Sequence, residues 1–480
     1  MRLFIAIVIS AMFPMLITSV SMAQFEGAVW DTLTSDTLRD GLSHQALSTT
    51  PYQLHLTYAK ERTGGGWEVH YRLYDMLAGW DLDRMVESDV PCFGPVIAAR
   101  LTNQYDIFIA FESGNDIWGW IAHGPTDWDP VNVTNSPEPE FSPTVALGDS
   151  TVQGAWIMQT ALGYKIVHFW GYNDSTFADT IMDSNLGDFG TGAAPFIVSV
   201  GEAPHIFYRG VNDFGYHIHH AYKEHPDSSG TIEFLDGGNV EDYVASAAVD
   251  SAGNIHLAMS GNEGFGMPAH VYYRKRDRQT RQWSSPELVT GAFSATNASI
   301  AVTADATVWI VSCGVSGNFY NGEIYLSNNG SGTFQTTLLA SYSSCTQPVI
   351  AMISGIYGAV VLDAPIGGDD SRNYEIVYFG PGVTGIDDKQ LRPGQISLKG
   401  NYPNPFNGET IIAYDLPNEA NVAIEIFDIS GRRVDTITPG VQPAGSHIIR
   451  WDARELSSGV YFYRLNAGGR SETRKLLFLK

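Results

Sequence analysis

The sequence predicts an all-β protein: a seven-bladed β-propeller closed by an N-terminal strand, followed by a C-terminal Ig-like β-sandwich. Three observations predict it. Short runs rich in Val, Ile, Tyr and Trp alternate with Gly, Asn, Asp and Pro along 480 residues that hold 49 Gly and 12% aromatic residues. Helical spacing of apolar residues is scarce. An internal period of about fifty residues runs through 38–380, and such a period marks a repeat architecture.

Residues 1–23 read as a removable export signal. Arg2 precedes the apolar stretch 3–20, and Ser21-Met22-Ala23 offers small residues where a signal peptidase cuts, before Gln24. A membrane anchor is the competing reading, but Pro14 interrupts the stretch. No later run is comparably long and apolar, so no transmembrane segment is expected in the mature chain.

The body, residues 24–382, carries the repeat. Seven stretches align on Leu47, Ile97, Val145, Ile197, Ala247, Ile300 and Ile350, spaced by 50, 48, 52, 50, 53 and 50 residues. Each unit reads as four short strands, the fourth opening on an aromatic residue: Trp80, Trp128, Phe177, Phe234, Trp283 or Phe334. Four strands per unit is the grammar of a propeller blade. The seventh unit lacks its fourth strand. Trp30 stands 17 residues before Leu47, as Trp80, Trp128 and Trp283 stand 17 before Ile97, Val145 and Ile300. The N-terminal segment is therefore expected to pair with the last unit and cover its open edge.

Charge narrows the function. The net charge is −24, while residues 389–480 hold 12 Lys+Arg against 9 Asp+Glu, so the acidic excess lies on the body. A body of that sign repels phosphate backbones and excludes nucleic acid as an expected partner. Cys92, Cys313 and Cys345 contain no CxxC pair, so no zinc site is expected. Cys313 and Cys345 could bridge, or all three could be buried thiols.

Ligands of propellers gather at the loops after second strands and before first strands. The residues just past each second strand are Lys60, Glu112, Gln159, Arg209, Ser260, Cys313 and Asp363. This column varies most in chemistry between units. Glu112, Arg209 and Asp363 are the candidate ligand contacts, with Trp67, Phe214 and Tyr320 as candidate stacking platforms. Ordinary variety of solvated loops is the alternative.

His217, His219 and His220 form the densest histidine cluster. His217 and His219 share a strand face and could ligate a metal. Yet His219-His220 stands where sibling units have His70-Tyr71 and Tyr272-Tyr273, which points to ring packing, and no metal or cofactor is expected. Gly367-Gly368-Asp369-Asp370 reads as an acidic turn without calcium-loop spacing. Glycosidase chemistry needs two carboxylates flanking one bond. No such constellation is legible, nor a GxSxG elbow, HExxH helix or P-loop.

The turn VDSAGNIHLA (249–258) and the stretch SNNGSGTF (327–334) resemble the sialidase-like propeller superfamily. In the second, Asn329 and Ser331 stand where that group's Asp-box has Asp and Gly. The resemblance implies a fold, not an activity; Arg100 and Arg209 fall near strand ends, but the family's third arginine has no counterpart.

Residues 383–397 read as a linker, and 398–480 as a small β-sandwich with strands IIAYDL, VAIEIFD, HIIRWD, VYFYRL and KLLFLK. Ordered motifs run through it: Asn401-Tyr402-Pro403-Asn404-Pro405-Phe406-Asn407, Phe427-Asp428 with Gly431-Arg432, Trp451-Asp452, Gly459-Val460-Tyr461, and the basic-apolar end from Lys475. They closely resemble the type A sorting domain of type IX secretion substrates, with Gly408 where that family commonly has a second proline. The resemblance implies passage through the type IX machinery to the cell surface or medium. The leading reading is a secreted or surface protein that binds extracellular glycan or protein. The alternative is a sialidase-like carbohydrate-active hydrolase or lyase.

Overall fold

A computed structural model describes residues 28–478 except 35–39, 51–52, 64, 76–78, 82, 88–91, 102–104, 123–127, 173–176, 184–193, 213–214, 236–240, 263–267, 291–293, 317–318, 343–347, 354–356, 366–373, 382–396, 403–405, 407, 417–419, 430, 443–444 and 455. The export signal, Cys345 and the Gly367–Asp370 turn lie outside the described residues. Among the described residues there are strands and no helix, so no helix is long and apolar enough to cross a membrane. Two compact units are distinguished: Met1–Leu73 with Leu82–Pro381, and Tyr74–Asp81 with Gly382–Lys480.

The first unit is built of separate antiparallel sheets, numbered here one to seven in chain order. Each of the seven reference residues falls on the first strand of its own sheet, from Leu47 on Leu47–Thr50 to Ile350 on Val349–Ile353. The first strands of successive sheets pack beside one another, and Val349–Ile353 packs beside Leu47–Thr50. Sheet seven has the order Ala28–Thr32, Tyr374–Pro381, Tyr357–Pro365, Val349–Ile353. The N-terminal strand thus pairs with the last unit, Trp30 opposite Phe379, and Thr34 Oγ1 accepts the Ile376 amide at 2.9 Å. Covering that edge removes a row of unpaired amides and carbonyls.

The inner strands have the same problem on their other side, since a strand with a neighbour on one side only leaves polar backbone unpaired. A hydroxyl one residue before the reference position answers it. The Ile197 amide donates to Thr144 Oγ1 at 3.1 Å, Ile300 to Ser246 Oγ at 3.3 Å and Ile350 to Ser299 Oγ at 3.2 Å. Sheets one and two lack this hydroxyl, having Ala46 and Val96 in its place, and there Gln45 substitutes: its carbonyl takes the Ile97 amide at 3.1 Å and its Oε1 the Val145 amide at 3.0 Å. Three residues before the reference, the first strands bulge. Gly94, Ser142 and Asn297 take φ of 53°, 55° and 51° beside register shifts in their strands.

The fourth strands depart from expectation. Trp128 and Phe177 open theirs, but Phe234 sits late in Thr231–Leu235. Trp283 makes only an isolated bridge to Arg276, ahead of the two-residue strand Glu287–Leu288. Between the two, the Lys275 amide donates to the Ser284 hydroxyl at 3.0 Å and not to a backbone carbonyl, which interrupts the ladder. Sheet one splits the fourth position between Gly79–Trp80 and Arg84–Glu87.

In the second unit, Ser397–Tyr402, Glu409–Leu416 and Gly445–Asp452 form one sheet. Arg433–Gln442, Ala420–Asp428, Gly459–Ala467 and Arg470–Phe478 form the other. Alternating residues of both, including Ile412, Tyr414, Ile424, Ile426, Tyr463 and Phe478, share one buried core. The five expected strands are present. Ser397–Tyr402 and Arg433–Gln442 are additional; the latter is half-exposed along its length and lacks the apolar alternation that signals a strand.

Candidate functional site

Glu112, Arg209 and Asp363 occupy equivalent places near the ends of the second strands of sheets two, four and seven, opposite Ile117, Ile218 and Ile376. Glu112 Oε1 accepts the Ser142 amide at 2.6 Å, which ties sheet two to the bulge of sheet three. Burial pushes its carboxyl up, against that hydrogen bond. Asp363 is buried and Arg209 half-buried. Trp67 opens the third strand of sheet one. Tyr320 lies on Phe319–Asn328, and Phe214 lies outside the described residues. Arg100 donates to the Gly148 carbonyl of sheet three, so it too spans two sheets.

The histidine column follows one geometry. His55 Nδ1 meets Tyr71 Oη at 2.9 Å, His256 Nδ1 meets Tyr273 Oη at 2.8 Å, and His205 Nδ1 meets His220 Nε2 at 2.9 Å. His220 therefore stands in for a tyrosine. Its other nitrogen faces Glu233 Oε1 at 2.6 Å, and Trp283 Nε1 donates to the same oxygen at 2.8 Å. Among the described residues no three His, Cys, Asp or Glu side chains gather as metal ligands. Cys313 is buried in the core that sheets six and seven share.

Sequence reasoning missed a cavity of about 270 Å³ at the opposite end of sheets four and five, where second strands begin. Val200, Ala203, His205 and Tyr222 line it from sheet four, Gly253 and Ile255 from sheet five. Its charged lining is Lys223, Arg276, Arg278 and Arg281 against Glu224 alone. The turn after Val249 builds one wall. Asp250 Oδ1 accepts the Ala252 and Asn254 amides at 3.0 and 2.8 Å, and its Oδ2 faces His256 at 3.1 Å. Burial opposes this charge, but the bonds from Asn254 and His256 outweigh it and hold the carboxyl at about 2. Arg278 is pinned to the same turn: its amide donates to Asn254 Oδ1 at 3.0 Å and its Nη1 to the Ala252 carbonyl at 3.3 Å. Gly253, at φ 82°, permits this, because a Cβ there would stand 2.7 Å from Arg278 Cδ. The available signal was RKRDRQTR (274–281), four arginines and a lysine in an acidic body.

In the second unit, several of the motif residues hold local structure. Phe406 is buried against Phe478 and Trp451, with centroids 5.0 and 5.8 Å away, and Trp451 Nε1 donates to Asp435 Oδ2 at 2.7 Å. Asp428 closes the Gly431 turn, accepting the Arg432 amide at 3.1 Å and its Nε at 3.0 Å. Tyr461 Oη donates to the Ser457 carbonyl at 2.7 Å. Gly459 pairs with Phe478 and Lys475 with Phe462. Asn401 lies on Ser397–Tyr402; Pro403, Asn404, Pro405 and Asn407 lie outside the described residues. Gly408 sits at φ 87°, which proline cannot adopt.

Residues 401–479 match the family model described as the secretion system C-terminal sorting domain. The chain therefore carries a type IX sorting domain and is secreted or attached to the cell surface. No curated protein matches it by sequence. Among solved structures, the chain is similar to PorZ, a bacterial surface component of the type IX secretion system of Porphyromonas gingivalis, at 11% identity and TM-score 0.43, over 92% of this chain and 59% of that one. It is also similar to the phage phi92 endosialidase, at 9% identity and TM-score 0.48 over 77% and 71%, and to a PL25 ulvan lyase, at 11% and 0.47 over 72% and 94%. At such scores these likenesses define neither fold nor activity.

Proposed function

We propose that the body is a closed seven-bladed propeller that binds an extracellular glycan or protein and does not cleave it. The ring reading is supported by the packing of each first strand beside the next, through to Val349–Ile353 beside Leu47–Thr50. The sorting domain carries the extracellular part of the reading: the ligand is one met outside the cell. Residues 1–23 act as the export signal and 383–397 as the link between body and sorting domain. Arg209 and Asp363, at matching ends of their sheets, are ligand contacts, with Trp67, Phe214 and Tyr320 as stacking surfaces; Glu112 positions the bulge beside them. A screen of the full chain against extracellular glycans and peptides tests this. At least one saturable ligand is expected, and an empty screen contradicts it.

A further inference from the structure

We infer that the cavity between sheets four and five binds one acidic sugar unit, recognised through its carboxylate or sulfate group. The inference rests on the glycan form of the reading above and adds the place and the chemistry. Four cations line a space of about 270 Å³ with one carboxylate among them, in a chain of net charge −24. A cleft lined mostly by one sign of charge focuses its field and draws in a counter-ion, here an anion.

The cations are fixed by the protein and neutralised by it only in part. Arg276 is buried and lies over the Tyr222 ring at 4.8 Å; its Nε makes no hydrogen bond and is paired only loosely with Glu233 Oε1 at 3.7 Å. Among the described residues no carboxylate pairs with Arg278, whose polar contacts are the Asn254 side chain and the Ala252 carbonyl. Lys223 is buried, donates to the Pro226 carbonyl at 2.8 Å and lies over the Trp170 ring at 4.5 Å. Arg281 is hydrogen-bonded to a carboxylate, by two bonds to Glu224 at 2.7 and 3.1 Å, and that pair is exposed. Guanidinium groups fixed in advance suit carboxylate and sulfate oxygens, which they grip through paired N–H donors. Tyr222 and Ile255 supply apolar surface for a ring. The volume is just below the range of about 300–1,000 Å³ typical of small-molecule sites, which suits one sugar unit better than a chain.

Titration of the full chain with glucuronate, glucose 6-sulfate and glucose, followed by ligand-observed NMR, tests this. Glucuronate or the sulfate should bind and glucose should not, and the affinity should fall as salt rises. Arg278→Gln, at an exposed position, should weaken binding by about tenfold or more with unchanged melting, and Arg276→Gln should do the same if it folds. Glucuronate binding alone assigns a carboxylate site, and sulfate binding alone a sulfate site. Equal binding of glucose, binding of none of the three, or full binding by Arg278→Gln would overturn the inference. If glycans elsewhere on a broad screen are still retained in that event, only the placement of the acidic sugar falls; if nothing is retained, the binding reading falls with it.

Discussion

Gln45 of sheet one reaches to sheet three, where its Oε1 accepts the Val145 amide at 3.0 Å and the Thr144 hydroxyl at 2.7 Å. In the same segment His44 Nε2 meets the Pro195 carbonyl of sheet four at 3.1 Å, and Ser43 donates to the Pro95 carbonyl of sheet two. Residues 43–45 thus tie the inner strands of sheets two, three and four. Gln45→Leu strips an acceptor from two buried donors, and each orphaned group costs about 1–3 kcal/mol. The variant should melt several degrees lower, measured by calorimetry of the full chain.

Thr144→Val removes the acceptor of the Ile197 amide and should cost about 1–3 kcal/mol, while Thr144→Ser keeps the oxygen and most of the stability. Urea unfolding of the two variants checks it; a loss in Thr144→Ser as large as or larger than that in Thr144→Val would contradict the role given to the hydroxyl.

These ties explain what was legible. The reference residues could be aligned because each first strand meets the same backbone demand, and the hydroxyls of Thr144, Ser246 and Ser299 precede them for that reason. The pairing of Trp30 with the last unit followed from spacing alone. The short fourth strand of sheet five did not, because a serine side chain, that of Ser284, takes the Lys275 amide in place of a backbone carbonyl, and a lone serine carries no such signature. The basic cleft was hidden because its lining comes from two units some fifty residues apart and from the end of the sheets opposite the one expected.

Deleting residues 24–34 uncovers Tyr374–Pro381 along the whole edge now paired with Ala28–Thr32. The truncated chain should aggregate on concentration where the intact chain does not, which light scattering would reveal.

His168 is fully buried, stacked on Trp170 at 5.2 Å, and neither ring nitrogen makes a hydrogen bond. Burial, with some help from Lys223, pushes it down to about 3. The unfolded chain takes up this proton below its ordinary value of about 6.5 and the folded one does not. Stability is therefore lost as pH falls from about 6.5 towards 3, by about 2 kcal/mol at pH 5 for this group. His168→Phe should flatten that slope, and unfolding at pH 7 and pH 5 measures it.

Removing residues 398–480 should hold the protein inside the producing cell, since the sorting domain lies there. Fractionation of cells expressing intact and truncated chains checks this; equal release would show that another segment carries the address.

The central claim is that the exported body holds its ligand without cutting it. The most direct measurement is to incubate the full chain with each ligand retained in the screen and to determine ligand length by mass spectrometry over many hours. Unchanged ligand mass with saturable retention is the predicted result. Shortened products would contradict it and make the body a hydrolase or lyase.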